Sequence, residues 1–374
     1  MTDWPVKTLG EVCDLVGGGT PSKDRPEFYG GEIPWATVRD LNVEVLRSTE
    51  HSITVEAVNS SSSNIIPSGS VVIATRVGLG KAVIVAQDTA INQDLRGLVV
   101  KKPKELMAEY LYWWYLSTVH LVVAAGTGAT VQGVKLPFVS GLAIPVPPLE
   151  EQKRIVALLD DAATHITELT TCYEQARTHV NNLFTSTLRN AMEGNPDWQM
   201  KTLGEVCEVA RGTSITRKQT KEGSIPVVAG GIDVAYFHSV HNRPAGTITV
   251  SSSGANAGFV NRWDVPIFAS DCSTVVAKEG GLVLGEYAFR FLQFKQGFIN
   301  DELRRGSAQP HVYAKDIAAI EITVPPFEEQ KRIVARLDSM KAKTSEMVAA
   351  YDAKLTVAKN LRQSILESAF AGDL

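Results

Sequence analysis

Residues 147–160 read PPLEEQKRIVALLD, and residues 325–338 read PPFEEQKRIVARLD. The two stretches differ only where Leu149 is replaced by Phe327 and Leu158 by Arg336, and they lie 178 positions apart (325 minus 147). In each copy two prolines and two glutamates precede apolar residues. This is the composition of a helix start, because proline fits the first turn and carboxylates oppose the positive end of the helix dipole. The duplication therefore predicts two helices that begin in the same way.

The rest of the chain repeats in the same order, which indicates two copies of one unit. WPVKTLGEVCDLVGGGTP from Trp4 returns as WQMKTLGEVCEVARGTSI from Trp198, at an offset of 194. The segment that starts at Pro67 aligns with the one that starts at Pro244, at an offset of 177. Copy two is therefore 16 residues shorter (194 minus 178), and we place the deficit between Gly17 and Pro67.

Each copy has the same predicted plan. Short β-type runs at 70–75 and 82–86, and again at 247–251 and 258–260, lie among Gly, Ser, Asn and Pro turns. A helix is predicted over about 103–125 in copy one and over 285–303 in copy two. Residues 149–193 and 327–371 then contain neither Gly nor Pro, so each is expected to form one long helix.

Apolar residues in both long segments recur by steps of four and three, the 3.5-residue repeat of a coiled-coil seam. In copy one the seam residues are Ile155, Leu159, Ala162, Ile166, Leu169, Tyr173, Ala176, Val180 and Leu183. In copy two they are Ile333, Leu337, Met340, Thr344, Met347, Tyr351, Lys354, Ala358 and Leu361, where the polar Thr344 and Lys354 weaken the seam. At about 1.5 Å per residue each helix is about 65 Å long.

The first helix leads from one globular domain to the other, so the two helices can pair along their length only if they run antiparallel. The predicted fold is α+β. Two related globular domains are separated by two long helices that form an antiparallel coiled coil, in a dumbbell with an internal pseudo-twofold repeat.

Composition excludes several classes of protein. With 44% apolar and 21% charged residues in 374, the chain reads as a globular protein of two domains. No signal peptide or membrane span is visible, so we expect a cytoplasmic location. Four scattered cysteines without a CxxC pair argue against a zinc site and against disulfides. No dinucleotide, P-loop or HExxH motif is present.

The two junction stretches, together with GGTPS at 18–22, IPW at 33–35 and GSAQPH at 306–311, resemble the specificity subunit of type I restriction-modification systems. The resemblance covers essentially the whole chain. It implies that residues 1–148 and 195–326 are target recognition domains, each reading one half of a bipartite DNA sequence. It also implies that residues 149–194 form the central spacer helix and residues 327–374 the C-terminal spacer helix. One departure is GTGATVQG at 126–133, where copy two has GSAQPH.

The same resemblance implies partners and the absence of chemistry in this chain. The helices set the spacer and dock two modification (methyltransferase) subunits, restriction subunits join that core, and the ligand is double-stranded DNA. No cofactor is expected in this chain, whereas S-adenosylmethionine is expected in the partner methyltransferase. The chain is then a non-catalytic subunit of a complex with adenine DNA methyltransferase and restriction endonuclease activities. No membrane partner is expected.

Side chains that suit DNA contact lie on predicted loops, because Arg, Lys, Ser and Thr bind phosphates while Arg, Asn and Gln read base edges. In domain one these candidates are Thr20, Ser22, Lys23, Arg25, Arg39, Arg76, Lys81, Thr130, Gln132 and Lys135. In domain two they are Arg211, Thr213, Arg217, Lys218, Lys221, Ser252, Asn256, Arg304, Arg305, Ser307, Gln309 and His311. For any single residue, a solvated surface position is the competing interpretation.

Outward positions of the helices are candidates for partner contact, namely Glu150, Lys153, Arg154, Arg177, Lys331 and Arg332. Residues 1–148 hold 12 basic and 14 acidic residues, and residues 195–326 hold 13 of each. Because nonspecific DNA affinity scales with the charges neutralised, we expect weak DNA binding by the chain alone. Two alternatives stay open: the specificity partner of a fused restriction-methylation enzyme, and a coiled-coil scaffold whose two heads bind proteins.

Overall fold

A computed structural model describes residues 4–128, 132–193, 196–306 and 309–374. The chain divides into two compact units. Unit one comprises Met1–Tyr173 and Ala353–Leu374, and unit two comprises Glu174–Asp352. Each unit therefore contains one globular domain together with part of each long helix.

Domain one, the globular part of unit one, is built from short strands and helices. Its strands are β1 (Val6–Thr8), β2 (Cys13–Gly17), β3 (Tyr29–Ala36), β4 (Val45–Leu46), β5 (His51–Ile53), β6 (Asn64–Ile66), β7 (Val71–Ala74), β8 (Ala82–Val85), β9 (Thr89–Ile91), β10 (Leu95–Val100) and β11 (Ala143–Pro145). Its helices are α1 (Leu9–Val12), α2 (Val55–Asn59), α3 (Ala108–Ser117), α4 (Val119–Ala124) and α5 (Leu136–Ser140), and the long helix α6 (Leu149–Met192) follows.

These strands form three sheets within the described part of unit one. The largest has the order β2-β10-β7-β8-β4, a second has the order β5-β3-β9-β6, and β1 pairs with β11. The aromatic helix α3 packs against the largest sheet, and its side chains Tyr110, Trp114 and Tyr115 are fully buried. The aromatic side chains of α3 are therefore part of the core of domain one.

Domain two, the globular part of unit two, has the same plan. Its strands are β12 (Gln199–Thr202), β13 (Cys207–Arg211), β14 (Ile225–Val228), β15 (Tyr236–His238), β16 (Thr247–Ser251), β17 (Val260–Trp263), β18 (Phe268–Ala269), β19 (Cys272–Ala277) and β20 (Glu321–Val324). Its helices are α7 (Leu203–Val206), α8 (Gly285–Phe294), α9 (Gln296–Phe298) and α10 (Ala314–Ala318), and the long helix α11 (Phe327–Ala371) follows. The sheet orders are β13-β19-β16-β17, β15-β14-β18 and β12-β20.

The sheet orders of the two domains match strand for strand except in one region. Domain one adds the edge strands β4 and β6 and the helix α2, all within residues 45–66. This is the region in which the alignment places the 16 surplus residues of copy one. The surplus extends the edges of an existing core and leaves the order of the common strands unchanged.

Several predicted boundaries shift in the structure. The predicted helix over 103–125 begins only at Ala108 and is interrupted at Thr118, between α3 and α4. The β-type run at 258–260 becomes β17, which starts at Val260, because Gly258 has φ +93° and ends the preceding turn. The long helices end at Met192 and Ala371, within one residue of the prediction.

The two long helices run antiparallel within each unit. In unit one Ile155 and Leu159, near the start of α6, share a core with Leu366 and Ala369 near the end of α11. In unit two the end of α6 meets the start of α11, where Leu188 and Met192 pack with Ile333 and Leu337.

Five predicted seam residues lie off the contact face. Leu169, Leu183, Met347 and Leu361 are between 43% and 48% exposed, and Lys354 is exposed as well. Half-buried places are taken instead by Thr170, Phe184 and Val348, one position further along. An α-helix has 3.6 residues per turn, so a strict 3.5-residue count drifts off the contact face over several turns.

The two polar seam residues have partners inside their own units. Thr344 is buried, and its hydroxyl donates to the carbonyl of Met340 at 2.9 Å. The Lys354 ammonium lies 5.3 Å from the centre of the Tyr173 ring, a cation–π contact. Among the described residues no helix is long and apolar enough to cross a membrane.

Candidate nucleic-acid interface

In domain one the β7–β8 turn and the loop before α5 are joined by backbone hydrogen bonds. Val77 N–H donates to the Gln132 carbonyl at 3.1 Å, and Val134 N–H donates to the Thr75 carbonyl at 2.9 Å. Thr127 and Gly133 exchange two further bonds across the loop, each of 2.9 Å. These bonds join the described parts of the two segments.

The same bonds join the corresponding segments of domain two. Gly254 N–H donates to the Pro310 carbonyl at 3.1 Å, and Val312 N–H donates to the Ser252 carbonyl at 3.0 Å. Arg305 and His311 exchange two bonds, of 2.9 and 2.8 Å. Each partner lies 177 or 178 positions after its counterpart in domain one. These four bonds are therefore the same in the two domains, although the sequence departs at 126–133.

A third segment, the loop after β2 in domain one and after β13 in domain two, is bonded to the second sheet of its domain. Gly19 N–H donates to the Ile91 carbonyl in domain one, and Thr213 N–H donates to the Ala269 carbonyl in domain two, at 3.0 and 2.9 Å. A Cβ at Gly18 would lie 2.2 Å from a carbonyl oxygen, as would one at Gly212. Glycine is required at both positions because the backbones approach so closely.

Most of the domain-one candidates lie on these three loops or next to them. Lys23 and Arg39 line one surface cavity together with Val77, the residue after Arg76. The Lys81 ammonium donates to the Val38 carbonyl and to Asn42 Oδ1, so Lys81 braces the turn as well as carrying charge.

Other candidates of domain one already have partners. The Arg25 guanidinium pairs with Glu27 at 2.8 Å and with Glu56 at 3.2 Å, so it lies in a local ion-pair cluster. Thr20 donates its hydroxyl hydrogen bond to Gln93, and Ser22 accepts one from Asp24 N–H. Gln132 and Lys135 are exposed on the second loop. Thr130 lies outside the described residues.

The domain-two candidates fall into two groups. Ser252, Asn256, Arg304, Arg305, Gln309 and His311 lie on the paired loops. Within this group the Arg304 guanidinium donates to the Ala255 carbonyl at 3.1 Å, and Arg305 lies 3.4 Å from Asp316. Ser307 falls outside the part of the chain that the structure describes.

The second group lies on the loop after β13. Arg211 ends β13 and Thr213 follows it, while Arg217 and Lys218 are exposed on a single 3-10 turn. Lys221 is tied to β15, because its N–H donates to His238 Nδ1 at 3.0 Å. The basic cluster of residues 217–221 therefore presents charge beside β15.

Two ring residues, Trp35 and His51, lie behind the domain-one loops. Trp35 is paired in parallel with Ala90, and the equivalent pair in domain two is Val227 with Phe268. The aromatic residue of the pair is therefore on β3 in domain one and on β18, the counterpart of β9, in domain two. In domain one the His51 ring lies 6.5 Å from Trp35, and both line the cavity of about 680 Å³ that also contains Lys23 and Arg39. The IPW motif marked Trp35, but no local pattern marks His51.

The glutamine of each junction repeat, Gln152 or Gln330, is fully buried. Gln152 is fully buried at the start of α6, accepts a hydrogen bond from Met107 N–H at 2.9 Å, and donates to the carbonyls of Glu105 and Pro147 at 2.8 Å. A buried amide must find such partners or lose stability. Gln152 therefore fixes the helix to the segment that precedes α3.

Gln330 makes the same three bonds in unit two. It accepts from Leu284 N–H at 2.8 Å and donates to the carbonyls of Leu282 and Pro325 at 2.8 and 2.9 Å. The identity of this residue in both copies was visible in the sequence, but its neighbours 46 to 48 positions away were not.

Two further contacts repeat at each junction. The Tyr110 hydroxyl donates to the Pro145 carbonyl, and the Tyr287 hydroxyl donates to the Thr323 carbonyl, at 2.9 and 3.0 Å. In unit one the Trp113 indole donates to Asp160 at 2.8 Å. At the equivalent place in unit two Arg290 donates to Asp338.

The residues proposed for partner contact are exposed, and all of them except Arg177 lie close to a junction glutamine in sequence. Lys153 pairs with Glu150, and Lys331 pairs with Glu328, both at 2.8 Å. The remaining three are also paired within their own units: Arg154 with Glu151, Arg177 with Asp352 and Arg332 with Glu329. The two junctions thus present the same pattern of charges.

Three of the four cysteines are buried. Burial raises the pKa of Cys13 and Cys272 to about 12 and that of Cys207 to about 11, so these thiols stay protonated at neutral pH. Within the described ranges no cluster of His, Cys, Asp or Glu is arranged to hold a metal ion.

Comparison with known proteins identifies the family. The model of the type I restriction modification DNA specificity domain matches residues 1–176 and 195–356, so the chain belongs to this family and is a DNA-specificity subunit. The MjaIX specificity subunit of Methanocaldococcus jannaschii is 23% identical, covering 100% of this chain and 94% of the relative. The EcoR124I/EcoR124II specificity subunit of Escherichia coli is 34% identical over 172 residues, which cover 44% of this chain and 42% of the relative.

Solved structures show the same fold. A chain from a study of complex assembly and conformational transition of the type I R-M system aligns with a TM-score of 0.84 and 22% identity, covering 99% of this chain and 98% of that one. The HsdS subunit from Thermoanaerobacter tengcongensis aligns with a TM-score of 0.59 and 22% identity, covering 99% and 97%.

Proposed function

We propose that each domain of this chain reads one half of a split DNA target through these three loops. The observation that carries the proposal is the repeated backbone of those loops. The same hydrogen bonds hold them in both domains, while the side chains that they present differ. A constant frame with variable side chains suits a reader of two unrelated half-sites, because base edges are distinguished by side-chain donors and acceptors.

The junctions support a second part of the proposal. Both copies present EEQKRIV around a buried glutamine that fixes the start of a long helix. Two identical surfaces suit two copies of one partner. We assign the exposed residues Glu150, Lys153, Arg154, Arg177, Lys331 and Arg332 to docking of two methyltransferase subunits. Restriction subunits would join this core, and the complex would act in the cytoplasm.

Under this proposal the chain itself performs no chemistry. Methyl transfer and its S-adenosylmethionine belong to the partner, and cleavage belongs to the restriction subunits. The helices α6 and α11 set the spacer between the half-sites. Insertion of one heptad in each helix should then change the permitted spacer and leave both half-motifs unchanged.

The deciding experiment is co-expression of the chain with its methyltransferase subunit, followed by sequencing of the host methylome. Methylated adenines are expected on both strands of one split motif. Exchange of residues 1–148 for the corresponding segment of another specificity subunit should change one half of the motif only. A methylome that is the same with and without this chain would refute DNA reading and favour a protein-binding scaffold.

Affinity of the isolated chain is a second test. Because domain one carries 12 basic and 14 acidic residues and domain two carries 13 of each, phosphate affinity should come largely from the partner subunits. Gel-shift titration should therefore show weak binding by the chain alone and tighter binding by the assembled complex. A tight, salt-resistant complex of the isolated chain would contradict this.

A further inference from the structure

Val77 has an unusual backbone. Its φ is +48°, and among the described residues it is the only one other than glycine with a positive φ. A β-branched side chain is strongly disfavoured in this left-handed region. The equivalent residue of domain two is Gly254, with φ +80°, and both donate an N–H bond of 3.1 Å to the facing loop. Glycine can thus hold this turn without strain.

Packing of the Val77 side chain does not account for its positive φ. Val77 is 49% exposed at the tip of the β7–β8 turn, between Arg76 and Gly78. A residue kept in a strained conformation without a core contact points to a role outside the fold. The structure therefore presents an apolar group to the ligand, at a place where domain two presents none.

The cavity of about 680 Å³ in domain one opens beside this group. Val77 lines it, Trp35 and His51 contribute rings to its wall, and Lys23 and Arg39 contribute positive charge. Trp35 is held by an indole bond of 3.2 Å to the Gly19 carbonyl. The imidazole side of the wall is open, because His51 is half exposed.

The same cavity carries polar groups that suit a base edge. Asn92 and Asp94 line it, and the Asn92 amide donates to the Asp94 carboxylate at 3.3 Å. Flat apolar walls, a few hydrogen-bonding groups and nearby cations are the features that hold a nucleotide displaced from a duplex.

We propose that Val77 enters the base stack of the half-site read by domain one, and that the nucleotide it displaces lies in this cavity. Proteins that deform DNA insert apolar side chains in this way and unstack a base step. The inference rests on the proposed DNA-reading function and adds an asymmetry to it. Domain two has Gly254 at the wedge position and Val227 in place of Trp35, so its half-site stays stacked at the corresponding step.

The test uses the chain assembled with its methyltransferase subunits and a duplex that carries the methylated motif. One base at a time is removed, on either strand, and the dissociation constant is measured. Removing the partner of an extruded base lowers the cost of extrusion, so binding should tighten several-fold at one position of the domain-one half-motif. Removal of a base elsewhere should weaken binding.

Three variants test whether the gain in binding is caused by insertion of the Val77 side chain. Val77→Gly matches domain two and relieves the backbone, so the complex should melt no lower than the parent while the gain in binding is lost. Val77→Ile keeps a β-branched side chain and should retain the gain. His51→Ala removes an exposed cavity wall and should reduce the gain. Any gain at the methylated adenine that persists in Val77→Gly belongs to the methyltransferase.

The variants test insertion of Val77 and the location of the displaced nucleotide separately. If a gain in the domain-one half-motif at a position other than the methylated adenine survives Val77→Gly, insertion of Val77 is refuted. It is also refuted if Val77→Ile loses the gain as fully as glycine does. If His51→Ala leaves the gain unchanged, the displaced nucleotide does not lie in the cavity. A parent complex that shows no preference for the motif would instead refute the DNA-reading function on which the inference rests.

Discussion

Domains one and two share a skeleton but differ where a ligand would touch them. The strand orders match, and the loop hydrogen bonds repeat at offsets of 177 and 178. On the loop face, Trp35 with Ala90 becomes Val227 with Phe268, and Val77 becomes Gly254. The comparison teaches that main-chain bonds maintain this fold, whereas the face that they support is free to change.

Exchange of the aromatic pair should give the largest effect. Trp35→Val removes buried ring volume and the indole bond to Gly19, so we expect domain one to lose about 3 kcal/mol. Ala90→Phe alone should cost about 1 to 3 kcal/mol through overpacking. The double variant copies domain two and should cost less than the sum, by about 1 kcal/mol or more. Amide hydrogen exchange within domain one measures all three.

If the stability cost of the double variant equals the sum of the two single costs, the proposed equivalence of the two domains fails. It would show that the Trp35 and Phe268 sites are not alternative solutions to one packing problem. A control is the exposed Val265, at 48% exposure in domain two, where Val265→Ala should change the exchange of domain two little.

Substitution of the junction glutamines should give the next largest loss of stability, and the loss should be the same in both units. Gln152→Ala leaves one N–H and two carbonyls without their partner, and Gln330→Ala does the same in unit two. We expect each to lower the free energy of local unfolding by about 2 to 3 kcal/mol, since unpaired buried groups are costly. Amide exchange at the start of α6 and of α11 is the measurement.

Lys153→Ala and Lys331→Ala are matched controls for the glutamine variants. Each removes an exposed ion pair one position further along, and each should cost about 0.5 kcal/mol or less. A glutamine variant that behaves like its lysine control, or a large difference between the two glutamines, would contradict the equivalence of the junctions.

Local sequence sufficed for the long helices and for the repeat. Pro-Pro entries and the absence of Gly and Pro predicted α6 and α11 to within one residue, because backbone chemistry alone sets those limits. Seam positions such as Leu169 and Leu183 were missed, because the contact face depends on how a 3.6-residue helix meets its partner.

The candidate interface shows the same division. Gly18 and the 126–133 loop could be found from the repeat, and the structure brings Lys23, Arg39 and Val77 to one cavity. The contact of His51 with Trp35 could not be found, since it depends on pairing between strands 16 positions apart (51 minus 35). Backbone strain at Val77 likewise has no local signature in a stretch that reads TRVGLG.

A smaller difference should separate the two aspartates of the junctions. Asp338→Asn weakens a charged contact with Arg290, whereas Asp160→Asn leaves an acceptor for the neutral Trp113 indole. We expect about 1 kcal/mol for Asp338→Asn at low salt, falling as salt is added, and about 0.5 kcal/mol for Asp160→Asn with little salt dependence. Urea unfolding of the two variants at low and high salt measures both; equal salt dependence would contradict the assignment.

The smallest effect concerns the first helix of each domain. The Glu11 carboxylate accepts bonds from Thr8 N–H at 2.6 Å and from the Thr8 hydroxyl at 2.8 Å, and these bonds hold the pKa of Glu11 below its ordinary value of 4.5. Glu205 accepts the same pair from Thr202, with the same lowering of its pKa. A capping box of this kind stabilises the charged form of the carboxylate.

A lowered pKa in the folded state means that the unfolded chain binds protons first as the pH falls. The contribution of each glutamate is therefore complete above pH 4.5 and is lost as the pH drops through the lower folded value. Glu11→Gln and Glu205→Gln keep an acceptor but remove the titration, so melting temperature should fall less steeply below pH 4.5 than in the parent. The change should be the same for both variants, and a parent-like acid slope in either would show that its capping box does not bind the charge.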